Sequence, residues 1–237
     1  MPQSLMVLSG KQPAPKRDRP YFLRHRYSSN NTWGIPTLKK NTTLSLEHLG
    51  VIRYDNTRCK DKRSKNKVVH FFIDDNKFEN TYYQPEGCLR KLAQYKYILT
   101  PDFSLYTDMP LALQLFNTFR NRWCGAFWQD LGLSVFPTIT WGAKESFAFC
   151  FKGVPIRSIV AISTIGCKHC KEAFLLGYRE MLKQIKPELV LCFDRPFPEM
   201  EGNVIYIQTD RFPQKKKKER TIWEEEELVQ GTLDLGK

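Results

Sequence analysis

The sequence predicts an α/β domain of parallel strands alternating with helices, a small or incomplete β/α-barrel-like fold, with a doubly wound open sheet as second choice. Three observations carry this reading. Short apolar runs recur along the chain, each bounded by Pro, Gly or Asp, as strands buried on both faces require. Helical stretches separate the runs, and strands that alternate with helices make parallel βαβ units. The turns from helix to strand are short, LGL before Val135 and KPE before Leu189, which favours the barrel-like form.

In chain order, the first short strand is expected at 50–54 and a stronger one at 68–73 (VVHFFI), ending in Asp74 and Asp75. A helix follows at 85–95. Tyr97, Ile98 and Leu99 form the next strand, stopped by Pro101. A long helix starts near Asp108, with Pro110 in its first turn, and runs to 131. One of its faces is apolar at alternating spacings of three and four, through Leu115, Phe116, Phe119 and Trp123. The other carries Gln114, Asn117, Thr118, Asn121, Gly125 and Gln129, with Arg120 and Arg122 on the flanks. That amide face either meets a polar partner or packs inside the domain. Further strands are expected at 135–141, 158–164, 189–193 and 204–209. A short helix near 145–151 and a clear one at 171–185 separate the first three.

The chain of 237 residues, 41% hydrophobic, suits one domain with tails. The expected division is a basic arm at 1–32, an α/β core at 33–212 and a charged tail at 213–237. No run of 18 apolar residues and no signal-peptide core is present, so the reading is a cytoplasmic protein without a membrane role. Of the net charge of +12, almost all lies in residues 1–67, which hold fifteen Lys or Arg against four Asp or Glu. Such an excess is an electrostatic footprint for nucleic acid. The residues expected to supply it are Arg17, Arg19, Arg24, Arg26, Arg58, Lys60, Lys62, Arg63, Lys65 and Lys67. Tyr21, Phe22 and Tyr27 interleave with the first group, as single-strand binding would need.

Ligands bind at the carboxyl ends of strands in open α/β sheets and in barrels. Asp74, Asp102 and Asp194 each follow an apolar strand, and they are the catalytic candidates. Ser104, Trp141, Ser163 and Thr164 belong to the same edge. With Asn117, Arg120 and Asn121 from the long helix, they are the ligand-binding candidates. Converging carboxylates could hold Mg²⁺ for phosphodiester or nucleotide hydrolysis. Alternatively, two carboxylates could divide acid and base roles on an N-glycosidic bond. Seven cysteines, an odd count, argue against a disulfide framework. The one C-x-x-C pair, Cys167 and Cys170, lacks the further ligands zinc needs, so zinc is disfavoured.

The segments HFFIDDNKFE, TPDFSLYTDMP, LQLFNTFRNRWCGAFWQ, FPTITWG, SFAFCFKGVP, VAISTIG and GYREML resemble a bacterial and phage family catalogued as a domain of unknown function. The resemblance runs from about Trp33 to Thr209. It implies a setting in phages, plasmids and other mobile elements, and no catalytic residue. Two readings of function follow. One is a protein that acts on or binds nucleic acid or nucleotides through a strand-end pocket and a basic arm. The other is a non-catalytic interaction protein that uses the polar face of the long helix.

Overall fold

Among the described residues, seven strands lie parallel and in sequential order. The computed structural model describes residues 27–62 and 64–208. Strands β1 (Gly50–Arg53), β2 (Lys67–His70), β3 (Tyr97–Leu99) and β4 (Val135–Phe136) form one ladder. Strands β5 (Ile159–Ser163), β6 (Leu189–Phe193) and β7 (Val204–Ile207) form a second. A single parallel bridge, Thr138 with Ala161, joins them; Ile139 N–H donates to Ala161 O at 2.8 Å and Ala161 N–H to Pro137 O at 2.8 Å.

The side-chain period of two explains the layers. One face gathers Val51, Val68, Tyr97, Leu99, Phe136, Ile159, Ala161, Leu191, Phe193 and Ile205, from every strand, into a single apolar cluster. The alternate residues face the helices: Val69, Ile98 and Val135 on one side of the array, Val160, Ile162, Val190 and Cys192 on the other. The rings of His70 and Phe72 lie 5.1 and 4.7 Å from Phe193 of β6. Contact between β2 and β6 across the intervening strands means that the sheet curls around this inner cluster. Among the described residues β1 and β7 do not pair, so the array is an open, barrel-like α/β domain.

The helices are α1 (Asn80–Tyr83), α2 (Pro85–Leu92), α3 (Leu111–Asp130) and α4 (Lys171–Ile185). Among the described residues no helix is long and apolar enough to cross a membrane. Two close approaches fix their seats. A Cβ on Gly125 of α3 would fall 2.6 Å from Thr100 Cγ2, and one on Gly177 of α4 would fall 2.2 Å from the Trp141 indole.

Two expectations change, and of the two readings open for the α3 amide face the packed one holds. The strand expected at 135–141 is cut to two residues because Pro137 has no N–H for the ladder. The helix near 145–151 is a 3₁₀ turn, Lys144–Ala148. The polar face of α3 is not offered to a partner. Gln114, Asn117, Thr118, Asn121 and Arg122 are buried, whereas Leu111, Leu113 and Phe116 are exposed. The reason is backbone chemistry: the segments after β3 and β4 leave the ladder, and their carbonyls need donors. Tyr27, assigned to the arm, lies edge-on to Trp123 of α3.

Candidate functional site

Two prolines build the rim above β3 and β4. Pro101 and Pro137 interrupt their strands one residue after Thr100 and Phe136. Thr100 and Thr138 then clasp the two segments together. Thr138 N–H donates to Thr100 Oγ1 at 2.8 Å, and Thr138 Oγ1 donates to Thr100 O at 2.8 Å. This clasp brings Thr140 beside Asp102, and the Thr140 hydroxyl donates to Asp102 Oδ1.

Asp102 is set into the rim and is partly exposed. Burial pushes its carboxyl up to about 7; the Asp75 charge acts in the same direction, and the Thr140 hydrogen bond opposes them. Near neutral pH the group therefore divides its time between acid and carboxylate, the condition a proton-transfer residue needs.

A second carboxylate stands within electrostatic reach. Asp75 accepts from Ser104 N–H at 3.1 Å and Ser104 Oγ at 2.8 Å. Arg120 lies 3.8 Å from Asp75 and 3.9 Å from Glu79, with its guanidinium 3.7 Å over the Phe103 ring. Its Nε is buried without a hydrogen-bond partner. The α3 amides hold the rim's backbone: Asn117 Nδ2 donates to Ser104 O at 2.6 Å and Asn121 Nδ2 to Pro101 O at 2.7 Å.

Arg122 is 1% exposed, and no carboxylate among the described residues pairs with it. It donates to Lys152 O at 3.1 Å, Thr138 O at 3.0 Å, Cys150 O at 2.9 Å and Asn121 Oδ1 at 2.5 Å. Burial lowers its pKa to about 10, which leaves it cationic at neutral pH. A small recess with about 10 Å³ of room, enough for about one water, opens beside it, lined by Phe103, Asn117, Asn121, Thr140 and Cys150.

The other predicted residues fall elsewhere. Asp74 is 77% exposed and pairs with Lys77 at 3.1 Å, because the 3₁₀ turn Asp75–Lys77 sends Asp75 inward in its place. Asp194 follows β6 with a left-handed φ of 72°. Ser163 Oγ donates to Phe193 O at 3.3 Å, and Thr164 Oγ1 to Arg195 O at 2.9 Å; both tie the β5 end to the β6 end. Trp141 packs on Phe151, Phe174 and Gly177 and is not an open wall. Asp74, Asp102 and Asp194 do not form a cation cage: among the described residues no three His, Cys, Asp or Glu side chains are placed to hold a metal ion.

Arg58, Lys60, Lys62 and Lys65 are exposed on the crossover between β1 and β2, whereas Lys67 pairs with Asp61 at 2.7 Å. This crossover runs down to the amino end of β2. In a parallel array that is the edge opposite Asp102. Arg17, Arg19, Arg24, Arg26 and Arg63 lie outside the described residues.

Two groups were not among the candidates. Asp75 was distinguishable from Asp74 only through the direction of its turn. His70 sits inside an apolar run, opposite Arg53 of β1. It is 3% exposed, its Nδ1 has no partner, and burial, with the Arg53 charge, lowers its pKa to about 4.

The curled parallel strands, with helices packed on their outer face, define an open α/β domain. Sequence comparison places it: the chain belongs to the family described as "Domain of unknown function (DUF4417)", whose profile matches residues 27–210. It is 40% identical over 195 residues to the "Gene 1 protein" of Mycobacterium phage L5, covering 78% of this chain and 84% of that one. It is 33% identical over 224 residues to the "Gene 1 protein" of Mycobacterium phage D29, covering 90% and 80%. No solved structure matches the chain.

Proposed function

We propose that the chain serves a phage or similar mobile element as an enzyme acting on a nucleoside or nucleotide at the rim above β3 and β4. The observation that carries this reading is Asp102, a carboxyl on the carboxyl edge of a parallel sheet that burial keeps partly protonated near neutral pH. A lone carboxyl that holds a proton near neutral pH suits protonation of the departing base of an N-glycosidic bond. Asp102 would give its proton to the departing base as the C–N bond breaks; a water oxygen would then bond to the sugar carbon, and the proton that water sheds would return to Asp102. Asp75, fixed by Ser104 and Arg120, would hold the loop that faces the sugar. The phage origin of both relatives agrees with a substrate in nucleic-acid metabolism.

The test is incubation with a panel of nucleosides and nucleotides, with chromatographic detection of free base and free phosphate. Release of base by the wild type, lost in Asp102→Asn, is the expected result. No product from any member of the panel, or equal turnover by the variant, would refute the reading.

A second reading has its own observation. The exposed cations Arg58, Lys60, Lys62 and Lys65 would bind a phosphate backbone at the opposite edge. Binding of a DNA or RNA oligomer that falls steeply with salt, and falls further when these four are changed to Ser, is the expected sign. Salt-independent binding would exclude it.

A further inference from the structure

All seven cysteines are free, and two of them share one turn. Cys88, Cys124, Cys150 and Cys192 are buried, where a thiol behaves as a small hydrophobe. Cys59 is exposed on the β1–β2 crossover. Cys167 and Cys170 open and close the 3₁₀ turn Cys167–Cys170, which follows β5 and leads into α4.

The geometry of that turn is specific. In a 3₁₀ helix the side chains at i and i+3 eclipse, and a rise of about 2 Å per residue sets their Cα atoms about 6 Å apart. A disulfide needs roughly 4.4–6.8 Å between Cα atoms. An α-helical turn would offset the two side chains; this one superposes them. The Cys170 thiol is near enough to Cys167 to push its pKa up, and Cys170 Sγ donates to Cys167 O at 3.6 Å. Their exposures differ: Cys170 is open to solvent, and Cys167 is half-buried beneath it, with its Sγ 3.6 Å from Ile165 O.

We infer that Cys167 and Cys170 form a thiol–disulfide exchange site whose substrate is a small disulfide of the oxidised-glutathione type. The order of events follows from exposure. The Cys170 thiolate attacks one sulfur of the small disulfide; an S–S bond forms to Cys170, the original S–S bond breaks, and one small thiolate leaves. Cys167 then gives its proton to solvent and attacks the Cys170 sulfur. The Cys167–Cys170 bond forms, and the second small thiolate leaves. The protein dithiol is oxidised by two electrons, and the small disulfide is reduced to two thiols. Burial, and next the neighbouring Cys170, push the Cys167 thiol up to about 12, so the exposed Cys170 and not Cys167 makes the first attack. The site stands independently of the proposed nucleotide chemistry, although Cys167 lies within electrostatic reach of Asp102.

The test uses the full chain, reduced and then exposed to oxidised glutathione, quenched by alkylation and digested with trypsin. Cleavage after Arg157, Lys168 and Lys171 separates residues 158–168 from 169–171, so an internal bond appears as a linked pair of peptides. The expected result is that linked pair, reversible with a dithiol reductant. In Cys167→Ser a glutathione adduct should instead persist on Cys170. The inference is overturned if the wild type accumulates the adduct on Cys170 with Cys167 alkylated. It is equally overturned if Cys170 is modified no faster than the solitary Cys59.

Discussion

Asp102→Asn and His70→Phe should tilt the pH dependence of stability in opposite directions. In the folded chain Asp102 holds its proton up to about 7, against 3.8 for an ordinary Asp. Between those values the folded state binds the extra proton, so this group's contribution is fully present below about 3.8 and is lost as pH rises through 7. At about 1.4 kcal/mol per pH unit the loss amounts to about 4 kcal/mol. His70 does the reverse. Its pKa falls from 6.5 to about 4 on folding, so the unfolded chain binds the extra proton in that window. Its contribution is present above 6.5 and is lost as pH falls through 4, by about 3 kcal/mol. In the wild type the two slopes cancel between about pH 4 and 6.5.

Urea unfolding at pH 4.5, 5.5, 6.5 and 7.5 separates them. Relative to wild type, Asp102→Asn should gain about 3 kcal/mol between pH 4.5 and 7.5. His70→Phe should lose about 2 kcal/mol between pH 4.5 and 6.5, and the double variant should lie flat. A curve for Asp102→Asn parallel to that of wild type would mean an ordinary, ionised carboxylate, and the reasoning about the rim would be wrong.

Two packing predictions follow. Arg122→Met would strand the carbonyls of Lys152 and Cys150 and the Asn121 side-chain oxygen, at about 1–3 kcal/mol each, would leave Thr138 O with only its longer bond from Asn121, and should remove most of the stability of the domain in urea. Arg122→Lys, with its single ammonium, should still lose about 3 kcal/mol; a loss under about 1 kcal/mol for either variant would show that the guanidinium is not what joins α3 to these segments. Gly177→Ala raises helix propensity by about 1 kcal/mol, yet its Cβ would fall 2.2 Å from Trp141. It should therefore destabilise by about 1–3 kcal/mol and shift tryptophan fluorescence, with recovery in the double variant carrying Trp141→Leu. A stabilised Gly177→Ala would contradict the close seat of α4.

The parallel order of the strands was legible because every buried strand reads as a continuous apolar run, and Pro101 marks where the third one stops. Asp102 was legible for the same reason, as the first polar residue past that stop. What surrounds it was not. Thr140 reaches Asp102 only because Thr100 and Thr138 clasp two segments 38 residues apart. Asp74 and Asp75 are neighbours in one polar step, and a single 3₁₀ turn decides which points inward. The amides of α3 left two readings open, a partner surface or packing inside the domain, because helices usually bury their apolar side. Here the irregular backbone beyond β3 and β4 offers Ser104 O, Pro101 O and Thr138 O, and the amides satisfy it from within. His70 gives no sign in an apolar run that its ring will meet Phe193 from the far side of a curled sheet.

The most direct measurement is a carboxyl titration of Asp102 by ¹³C NMR on the folded chain, assigned by comparison with Asp102→Asn. The account predicts a midpoint near 7, raised by burial on the strand-end rim. A midpoint close to the ordinary value of 3.8 would contradict it, because the residue would then be a solvated carboxylate with no proton to give at neutral pH.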